Sequence, residues 1–467
     1  MADCRRVATS VRPDARHERV MWAAVAALTL LGIVLRILAA RGALWLDEAW
    51  SATFAEQAAT PIGVIWRVNH DNNHILNTLW LQWVGSGASP LIQRALSIVT
   101  GTAAVPLAAA FAARRGAAAG LIAALAFAVS PMLVTYGSEA RGYAPMVAAF
   151  LAILVLVDRW LERNARVPVI GLAMLALLGT LAQVLMIASL LAITAWSGLV
   201  LWRRRGFGPA MLMVSRNLGP ALVASALVLV VMLLAADTAP AGFTIGSYAP
   251  FSAADWTNGV AGATAWTLGI EPAGRWIAVF GCAAALALLA AQHRDPRATL
   301  YAILILGLPL AYALLRVGNV SYPRYYLPAA VCLLLIAADA LGRARAAGIA
   351  LVALFAIGSA RLDVRLIADR RANPAVAIAA MRAAAPTGTT LILPDARMTP
   401  VFRWAARAAH YPMRIVGTRC APAPFLLLDD RSAATLRLCC GTYRLVAARR
   451  AEGLSGTGWR LYRRVAP

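Results

Sequence analysis

Three short polar segments carry charge between long apolar runs, where a charged side chain is costly and needs an explanation. The first, LWLDEAWS, holds the adjacent carboxylates Asp47 and Glu48. The second, YGSEARGY, holds Glu139 and Arg141, and the third, NVSYPRYYLP, places Arg324 among tyrosines. A carboxylate can take a proton from a hydroxyl group, and the planar fork of an arginine can hold a phosphate through two oxygens. Together these segments could catalyse transfer from a lipid phosphate, because cations stabilise the phosphate as it leaves.

Each segment also has a purely structural interpretation. Asp47 and Glu48 could cap the helix that follows them. Glu139 and Arg141 could form a self-satisfied ion pair, as charges near membranes commonly do. Arg324 could extend from a helix end toward water. The sequence leaves these alternatives open.

The composition requires a membrane. Apolar residues make up 61% of the chain, whereas soluble domains hold roughly 45–50%. The first apolar run, 20–40, has no small-residue cleavage site and ends at Arg41, so we expect it to remain as a signal anchor.

The net charge of +23 comes from arginine, since the chain has no lysine. No basic patch alternates with stacking aromatics, so a nucleic-acid partner is not predicted. The arginines instead cluster at the ends of apolar runs, where cytoplasmic loops carry an excess of positive charge. We therefore predict a cytoplasmic tail, 1–19, and cytoplasmic loops at 114–115, 159–166, 203–205, 294–297 and 343–345.

A membrane module, 20–360, follows with about eleven transmembrane helices. The predicted spans are 20–40, 90–113, 117–136, 143–157, 167–183, 186–202, 218–236, 276–292, 298–315, 325–340 and 346–360. The stretch 167–202 is nearly unbroken, and at about 1.5 Å rise per residue it fits two short spans better than one. An error there would invert every downstream orientation.

The first outer loop, 41–89, contains the acid pair and the segment HILNTLWLQWV, 74–84. This segment is too short to span a bilayer and mixes polar groups with two tryptophans, which favours a helix lying in the membrane interface. The alternative is a short buried helix.

Beyond Arg361 the apolar runs end, and 361–467 is predicted to be a small extracytoplasmic α/β domain. Asn373-Pro374 would begin a helix, TTLILPD would form a strand, and a helix would run over 399–410. Further strands are expected at PFLLLDD, TYRLVAA and WRLYRRV. The outside location rests on the number of spans. In an oxidising compartment Cys420 could pair with Cys439 or Cys440, or all three could be free buried thiols.

The motifs LWLDEAWS, YGSEARGYAP and PRYYLP, in this order, resemble those of the GT-C fold glycosyltransferases of the family 39 type, which are related to protein mannosyltransferases and lipid A aminoarabinose transferases. The resemblance covers about 22–340 and implies a polytopic α-helical GT-C module. One departure concerns the segment before the interfacial helix, where relatives commonly show His-Pro-Pro-Leu-Tyr. Here His74 matches, but both prolines are absent, which leaves acceptor recognition unassigned.

The resemblance also implies roles for individual residues. Asp47 would be the catalytic base in a single inverting displacement, and Glu48 would support or orient it. The donor site would comprise Glu139, Arg141, Tyr143, Arg324 and Tyr325. His70 and His74 would belong to an acceptor or polar site. A divalent metal held by these histidines with Asp47 or Glu139 is left open, because two histidines four residues apart are weak evidence without a helix and a third ligand. No metal ligand or other cofactor is assigned.

The implied reaction takes a sugar from a polyprenyl-phosphate donor to a lipid, glycan or protein acceptor on the outer face of the inner membrane. A transporter or flippase of lipid-linked saccharides is the alternative, since it would also be polytopic with charge facing outward. Transporters commonly show repeated halves with broken midplane helices, and no such repeat is visible here. A non-catalytic membrane scaffold is a third interpretation. Sugar, acceptor and polyprenol length have no readable code in the sequence.

Overall fold

The computed structural model describes residues 15–68, 72–163, 165–238, 248–272, 274–429, 435–439 and 441–465. Most of the predicted cytoplasmic tail, with Cys4, lies outside these ranges, as do His70 and Cys440. The described helices are α1 (Ala15–Ala39), α2 (Leu46–Ala58), α3 (Gly63–Trp66), α4 (Ile75–Val84), α5 (Pro90–Gln93), α6 (Ala95–Ala112), α7 (Ala117–Val129), α8 (Pro131–Tyr136), α9 (Tyr143–Arg163), α10 (Val169–Ala182), α11 (Met186–Arg205), α12 (Phe207–Asp237), α13 (Ala253–Leu268), α14 (Trp276–Ala291), α15 (Ala298–Ala302), α16 (Leu308–Leu314), α17 (Leu327–Leu341), α18 (Arg345–Asp369), α19 (Ala375–Ala384) and α20 (Thr399–Ala408).

Within the described ranges, seven helices are long and apolar enough to cross a membrane. They are Arg16–Ala39, Ala95–Arg115, Tyr143–Arg163, Met186–Arg205, Phe207–Asp237, Pro323–Leu341 and Arg345–Ala372. The other four predicted spans correspond to shorter apolar helices, Ala117–Val129, Val169–Ala182, Trp276–Ala291 and Ala298–Leu314. The protein is therefore a polytopic α-helical membrane protein, and the total of about eleven spans stays a prediction.

Two details of the predicted spans concern where helices break. The stretch 167–202 forms two helices, α10 and α11, as predicted. The predicted span 117–136 is not one helix, because Ser130 adopts an extended conformation, with φ −61° and ψ 122°, between α7 and α8. Pro131 explains the break, since a proline disfavours helical geometry in the residue before it.

The predicted cytoplasmic loops meet at one end of the helical bundle. Arg297 of the loop before α15 forms a bidentate pair with Asp158 of α9, with nitrogen to oxygen distances of 2.9 and 2.7 Å. Arg115, after α6, pairs with Asp295 at 2.7 Å and with Glu162 at 2.8 Å. Loops separated by more than a hundred residues therefore share one face. The side of the membrane that this face occupies stays a prediction.

The predicted first outer loop, 41–89, contains the short helices α2 to α4, and α5 begins directly after it at Pro90. Within α4, the predicted interfacial segment, Ile75, Asn77 and Leu81 are buried, whereas the side chain of Trp83 is 78% exposed. The Asn77 amide donates to the carbonyl of Ala140 at 2.6 Å. One face of this helix therefore packs against the turn that contains Ala140, and the opposite face is exposed.

The C-terminal part of the described chain contains one mixed six-stranded sheet with the order β2-β1-β3-β6-β5-β4. Its strands are β1 (Thr389–Ile392), β2 (Met413–Val416), β3 (Phe425–Leu428), β4 (Thr435–Leu438), β5 (Gly441–Arg449) and β6 (Trp459–Arg464). β1 pairs in parallel with β2 and β3, and the remaining described pairs are antiparallel. This is the small α/β domain that the sequence predicts. Cys420 and Cys439 form a disulfide.

The sheet domain packs directly on α2, the helix that carries the acid pair. The indole nitrogen of Trp404 donates to Thr53 Oγ1 at 3.1 Å, and that of Trp50 donates to the carbonyl of Arg397 at 3.0 Å. The last membrane helix, α18, continues past Arg361 to Asp369. The predicted boundary at 361 therefore falls inside a helix, because the fall in hydropathy marks the end of the apolar run and not the end of the helix.

Candidate active site

The two adjacent carboxylates at the start of α2 make different contacts. Asp47 is the second residue of the helix and Glu48 the third. Glu48 turns back, and its Oε2 accepts from the backbone N–H of Trp45 at 3.1 Å. Asp47 Oδ2 instead accepts from Arg324 Nη1 at 2.9 Å. The capping interpretation therefore describes Glu48, whereas Asp47 belongs to a separate polar group.

Two arginines from distant loops converge on Asp47. Arg141 Nη2 lies 3.7 Å from the same Oδ2 that Arg324 contacts, and Arg141 Nη1 donates to the Asp47 carbonyl at 3.3 Å. Side-chain exposures are 20% for Asp47, 14% for Arg141 and 18% for Arg324. The shortest side-chain contacts of both arginines are thus with Oδ2. One carboxylate beside two guanidinium groups leaves a net positive charge, which suits a phosphate.

Aromatic rings surround the two cations. The guanidinium carbon of Arg324 lies 4.3 Å from the ring centroid of Tyr322 and 5.8 Å from that of Tyr325. The corresponding distance from Arg141 to the ring of Tyr143 is 5.9 Å. Such contacts favour a fixed position for a cation. Arg324 therefore does not simply extend from a helix end, because it is paired and lies against rings.

Glu48 is completely buried and forms a bidentate ion pair with Arg94. The distances are 2.7 Å from Arg94 Nε to Oε1 and 2.5 Å from Nη2 to Oε2. The remaining Arg94 donors reach the carbonyls of Ala40, Gly42 and Ala43 at 2.6 to 3.0 Å. Burial by itself would raise the pKa of Glu48, but the Arg94 guanidinium outweighs it and holds that pKa below its ordinary value. Glu48 is thus ionised, and its carboxylate joins the start of α2 to Arg94.

Glu139 pairs with Arg371 and not with the two arginines that contact Asp47. Its Oε1 lies 3.7 Å from Arg371 Nε, and both side chains are 1% exposed. Burial raises the pKa of Glu139 to about 7, although Arg371 acts in the opposite direction. The self-satisfied pair of Glu139 with Arg141 is not what the structure shows, because each of them has another partner of opposite charge.

His74, the residue before α4, is buried beneath the turn that joins α8 to α9. Its Nδ1 lies 3.1 Å from the carbonyl of Ala182 and 3.3 Å from the amide nitrogen of Gly142. Burial lowers the pKa of His74 well below its ordinary value, and Arg141 lowers it further, so the ring is neutral. Among the described residues no group of three histidines, cysteines or carboxylates could hold a metal, and His70 lies outside them.

Sequence reasoning missed three residues of this region, Arg94, Arg371 and Tyr322. A signal was present for Arg94, since an arginine at the predicted outer end of a span departs from the positive-inside pattern and needs a local partner. Tyr322 stood inside a quoted motif without an assigned role. Arg371 gave no local signal, because it follows the last span in an arginine-rich stretch.

No family model matches the sequence, and no curated protein matches it either. Solved structures do match. ArnT from Cupriavidus metallidurans in the apo state has a TM-score of 0.56 and 13% identity, over 86% of this chain and 86% of that chain. ArnT from the same organism bound to undecaprenyl phosphate has a TM-score of 0.53 and 13% identity, over 96% of this chain and 98% of that chain. The resemblance drawn from the motifs is thus confirmed for the fold, and the chain has the GT-C fold of ArnT.

Proposed function

We propose that the protein is an inner-membrane glycosyltransferase that moves a sugar from a polyprenyl-phosphate donor to an acceptor hydroxyl on the outer face. One observation carries the proposal, namely that Arg141 and Arg324 converge on the single carboxylate of Asp47. The fold adds support, because a structure of similar fold, ArnT, is bound to undecaprenyl phosphate. A base beside two phosphate-binding cations is the minimum that such a transfer requires.

The proposed reaction is a single displacement. Asp47 accepts the proton of the acceptor hydroxyl while the hydroxyl oxygen attacks the anomeric carbon of the donor sugar. The bond from that carbon to the phosphate oxygen breaks, and the phosphate leaves with the bonding electrons. Arg141 and Arg324 stabilise the charge that develops on it. The product is a glycoside of inverted configuration together with free polyprenyl phosphate.

The decisive test uses the full chain purified in detergent or reconstituted in liposomes with a polyprenyl-phosphate sugar labelled in the sugar. We expect transfer of the labelled sugar to water or to an acceptor hydroxyl, which leaves the donor as polyprenyl phosphate. A transporter or flippase would move the labelled lipid between leaflets without cleaving it, and a scaffold would do neither. Mass spectrometry of envelope lipids, glycans and proteins with and without the protein would then identify the acceptor class.

Arg324→Ala tests the proposed phosphate contact. Loss of this cation should weaken donor binding and also reduce turnover, because the charge on the phosphate grows as the bond breaks. We expect turnover to fall by about 10²- to 10³-fold, as when other hydrogen-bond donors that stabilise a developing oxyanion are removed. The measurement is initial rate against donor concentration, with exposed Arg316→Ala as the matched control. Unchanged kinetics in Arg324→Ala would remove Arg324 from the donor site.

The proposed orientation places the N-terminus in the cytoplasm and the sheet domain outside. A fusion of alkaline phosphatase after residue 467 should be active, and a fluorescent protein fused there should be dark. A phosphatase fusion within the loop of Arg114 and Arg115 should be inactive, since that loop is predicted to lie inside. A fluorescent C-terminal fusion with silent phosphatase would place the sheet domain in the cytoplasm and contradict the outer-face proposal.

A further inference from the structure

The connector between α18 and α19 has an unusual backbone. Arg370, Arg371 and Ala372 have φ angles of 50°, 56° and 57°. Three successive non-glycine residues in the left-handed region are strained, and such a conformation persists only where surrounding contacts hold it in place. The indole nitrogen of Trp459 in β6 donates to the carbonyl of Ala372 at 2.6 Å. The sheet domain therefore helps to fix this connector.

The conformation inserts the side chain of Arg371 into the membrane module, where it is buried. Its Nη1 donates to the carbonyl of Ala39 at 2.6 Å, at the end of α1. Its Nη2 donates to the carbonyl of Thr135 at 3.2 Å and to Ser138 Oγ at 2.7 Å. Its Nε donates to Ser455 Oγ at 3.0 Å, in the sheet domain. One guanidinium group thus joins three parts of the chain that are distant in sequence.

The segment 39–43, which leads into α2, is hydrogen-bonded at both ends to residues of this connector. Arg371 binds the carbonyl of Ala39, and the side-chain oxygen of Asn373 accepts from the backbone N–H of Ala43 at 3.1 Å. Arg94 binds the carbonyls between them. Asp47 follows four residues after Ala43. The position of Asp47 therefore depends on contacts that begin beyond the last membrane helix.

Arg371 also faces Glu139 in the turn that ends with Arg141. The charged groups around Glu139 are Arg371, which favours its ionised form, and Glu48 and Asp47, which oppose it. Since the pKa of Glu139 is raised to about 7, removal of Arg371 would raise it further and leave the buried carboxyl group protonated at neutral pH.

We propose that Arg371 is a positioning residue for the candidate site, and that it makes the sheet domain an integral part of that site. Its hydrogen bonds fix the position of the segment before Asp47 relative to the turn before Arg141. The inference rests on the proposed function for its activity readout, but the physical claim, that Arg371 orders these two segments, has a readout of its own.

The experiment compares Arg371→Ala with Arg370→Ala in the full-length protein. The pair is matched, because the two residues are adjacent and share the left-handed backbone, but Arg370 is exposed. Hydrogen–deuterium exchange should increase in peptides covering 39–47 and 135–141 for Arg371→Ala and stay at the wild-type level for Arg370→Ala. Unchanged exchange in both segments would overturn the proposal. This readout decides the matter even if the wild-type protein cleaves no donor, a result that would contradict only the proposed function.

Donor cleavage at pH values below and above 7 adds a second readout. Arg371→Ala should lower turnover by about 10- to 100-fold, as expected for small displacements of reacting groups. Turnover that depends on ionised Glu139 falls on acidification, and this fall should begin at a higher pH in Arg371→Ala, because Arg371 favours the ionised form. A loss of the same size at every pH would overturn the proposal, since it would show a structural role alone. Arg371→Lys keeps the charge but offers one nitrogen in place of three. It should retain the wild-type pH profile with reduced turnover, and wild-type turnover in Arg371→Lys would also overturn the proposal.

Discussion

Asp47→Asn is expected to reduce transfer by about 10²- to 10⁴-fold, the usual range for removal of a general base. The amide keeps the size and shape of the side chain, and its oxygen can still accept from Arg324. It cannot take the proton of the acceptor hydroxyl. Turnover should therefore collapse while donor binding and folding stay near the wild-type level. Initial rates with labelled donor, together with donor binding measured separately, distinguish these effects.

The control for Asp47→Asn is Glu56→Gln. Glu56 lies on the same helix and pairs with Arg407 at the surface, and exposed ion pairs contribute little to stability. This variant should match the wild-type protein in both rate and stability. Wild-type turnover in Asp47→Asn would show that its carboxylate has a structural role. The base would then have to be sought elsewhere, and Glu139 would be the stronger candidate, because Glu48 is tied to Arg94 through both oxygens.

The membrane module could be predicted from the sequence largely because its determinants are local. An apolar run of sufficient length must be a helix in a bilayer, since the backbone has no other way to satisfy its polar groups there. The helix α13 was not predicted. It contains Asp255 and Asn258, and its contacts come from tertiary packing, as Gly259 approaches the carbonyl of Val320 too closely for any side chain. No sequence pattern predicts this close contact between Gly259 and Val320.

The same distinction applies to the sheet domain. The strands β1, β3 and β5 coincide with apolar or β-branched runs, β6 contains aromatic residues that favour strands, and all four agree with the predicted strands. The strands β2 and β4 were not predicted, and both lie at the edges of the sheet. β2, MRIV, and β4, TLRL, have only four residues each, which is too short for a period-2 alternation to distinguish a strand from a loop. Their identity comes from the partner strand, which the sequence does not specify locally.

In the candidate site, the motifs identified the charged residues but not their partners. The motifs predict that Asp47, Arg141 and Arg324 lie together. In the structure Asp47 Oδ2 is 2.9 Å from Arg324 Nη1 and 3.7 Å from Arg141 Nη2. The motifs group Glu48 and Glu139 with them, yet each pairs with an arginine outside the three motifs. Arg371 is 232 residues from Glu139 in sequence, so only the fold could reveal that pair.

Arg94→Met is expected to have the largest effect on stability. It leaves the Glu48 carboxylate buried without its cation, and it leaves the carbonyls of Ala40, Gly42 and Ala43 without the donors that Arg94 supplies. Removing one partner of a buried ion pair typically costs about 3–5 kcal/mol. Thermal unfolding in detergent should therefore shift strongly to lower temperature.

Two further variants make the Arg94 prediction specific. Arg41→Met removes an exposed arginine from the segment between α1 and α2, whose carbonyls Arg94 binds, and should leave unfolding unchanged. The double variant Arg94→Met with Glu48→Gln should lose less stability than the sum of its single changes, because the neutral amide no longer requires a buried cation. If the losses simply added, Glu48 and Arg94 would contribute independently. The segment between α1 and α2 would then be held mainly by the carbonyl contacts of Arg94, and the position of Asp47 would not depend on the charge of its neighbour.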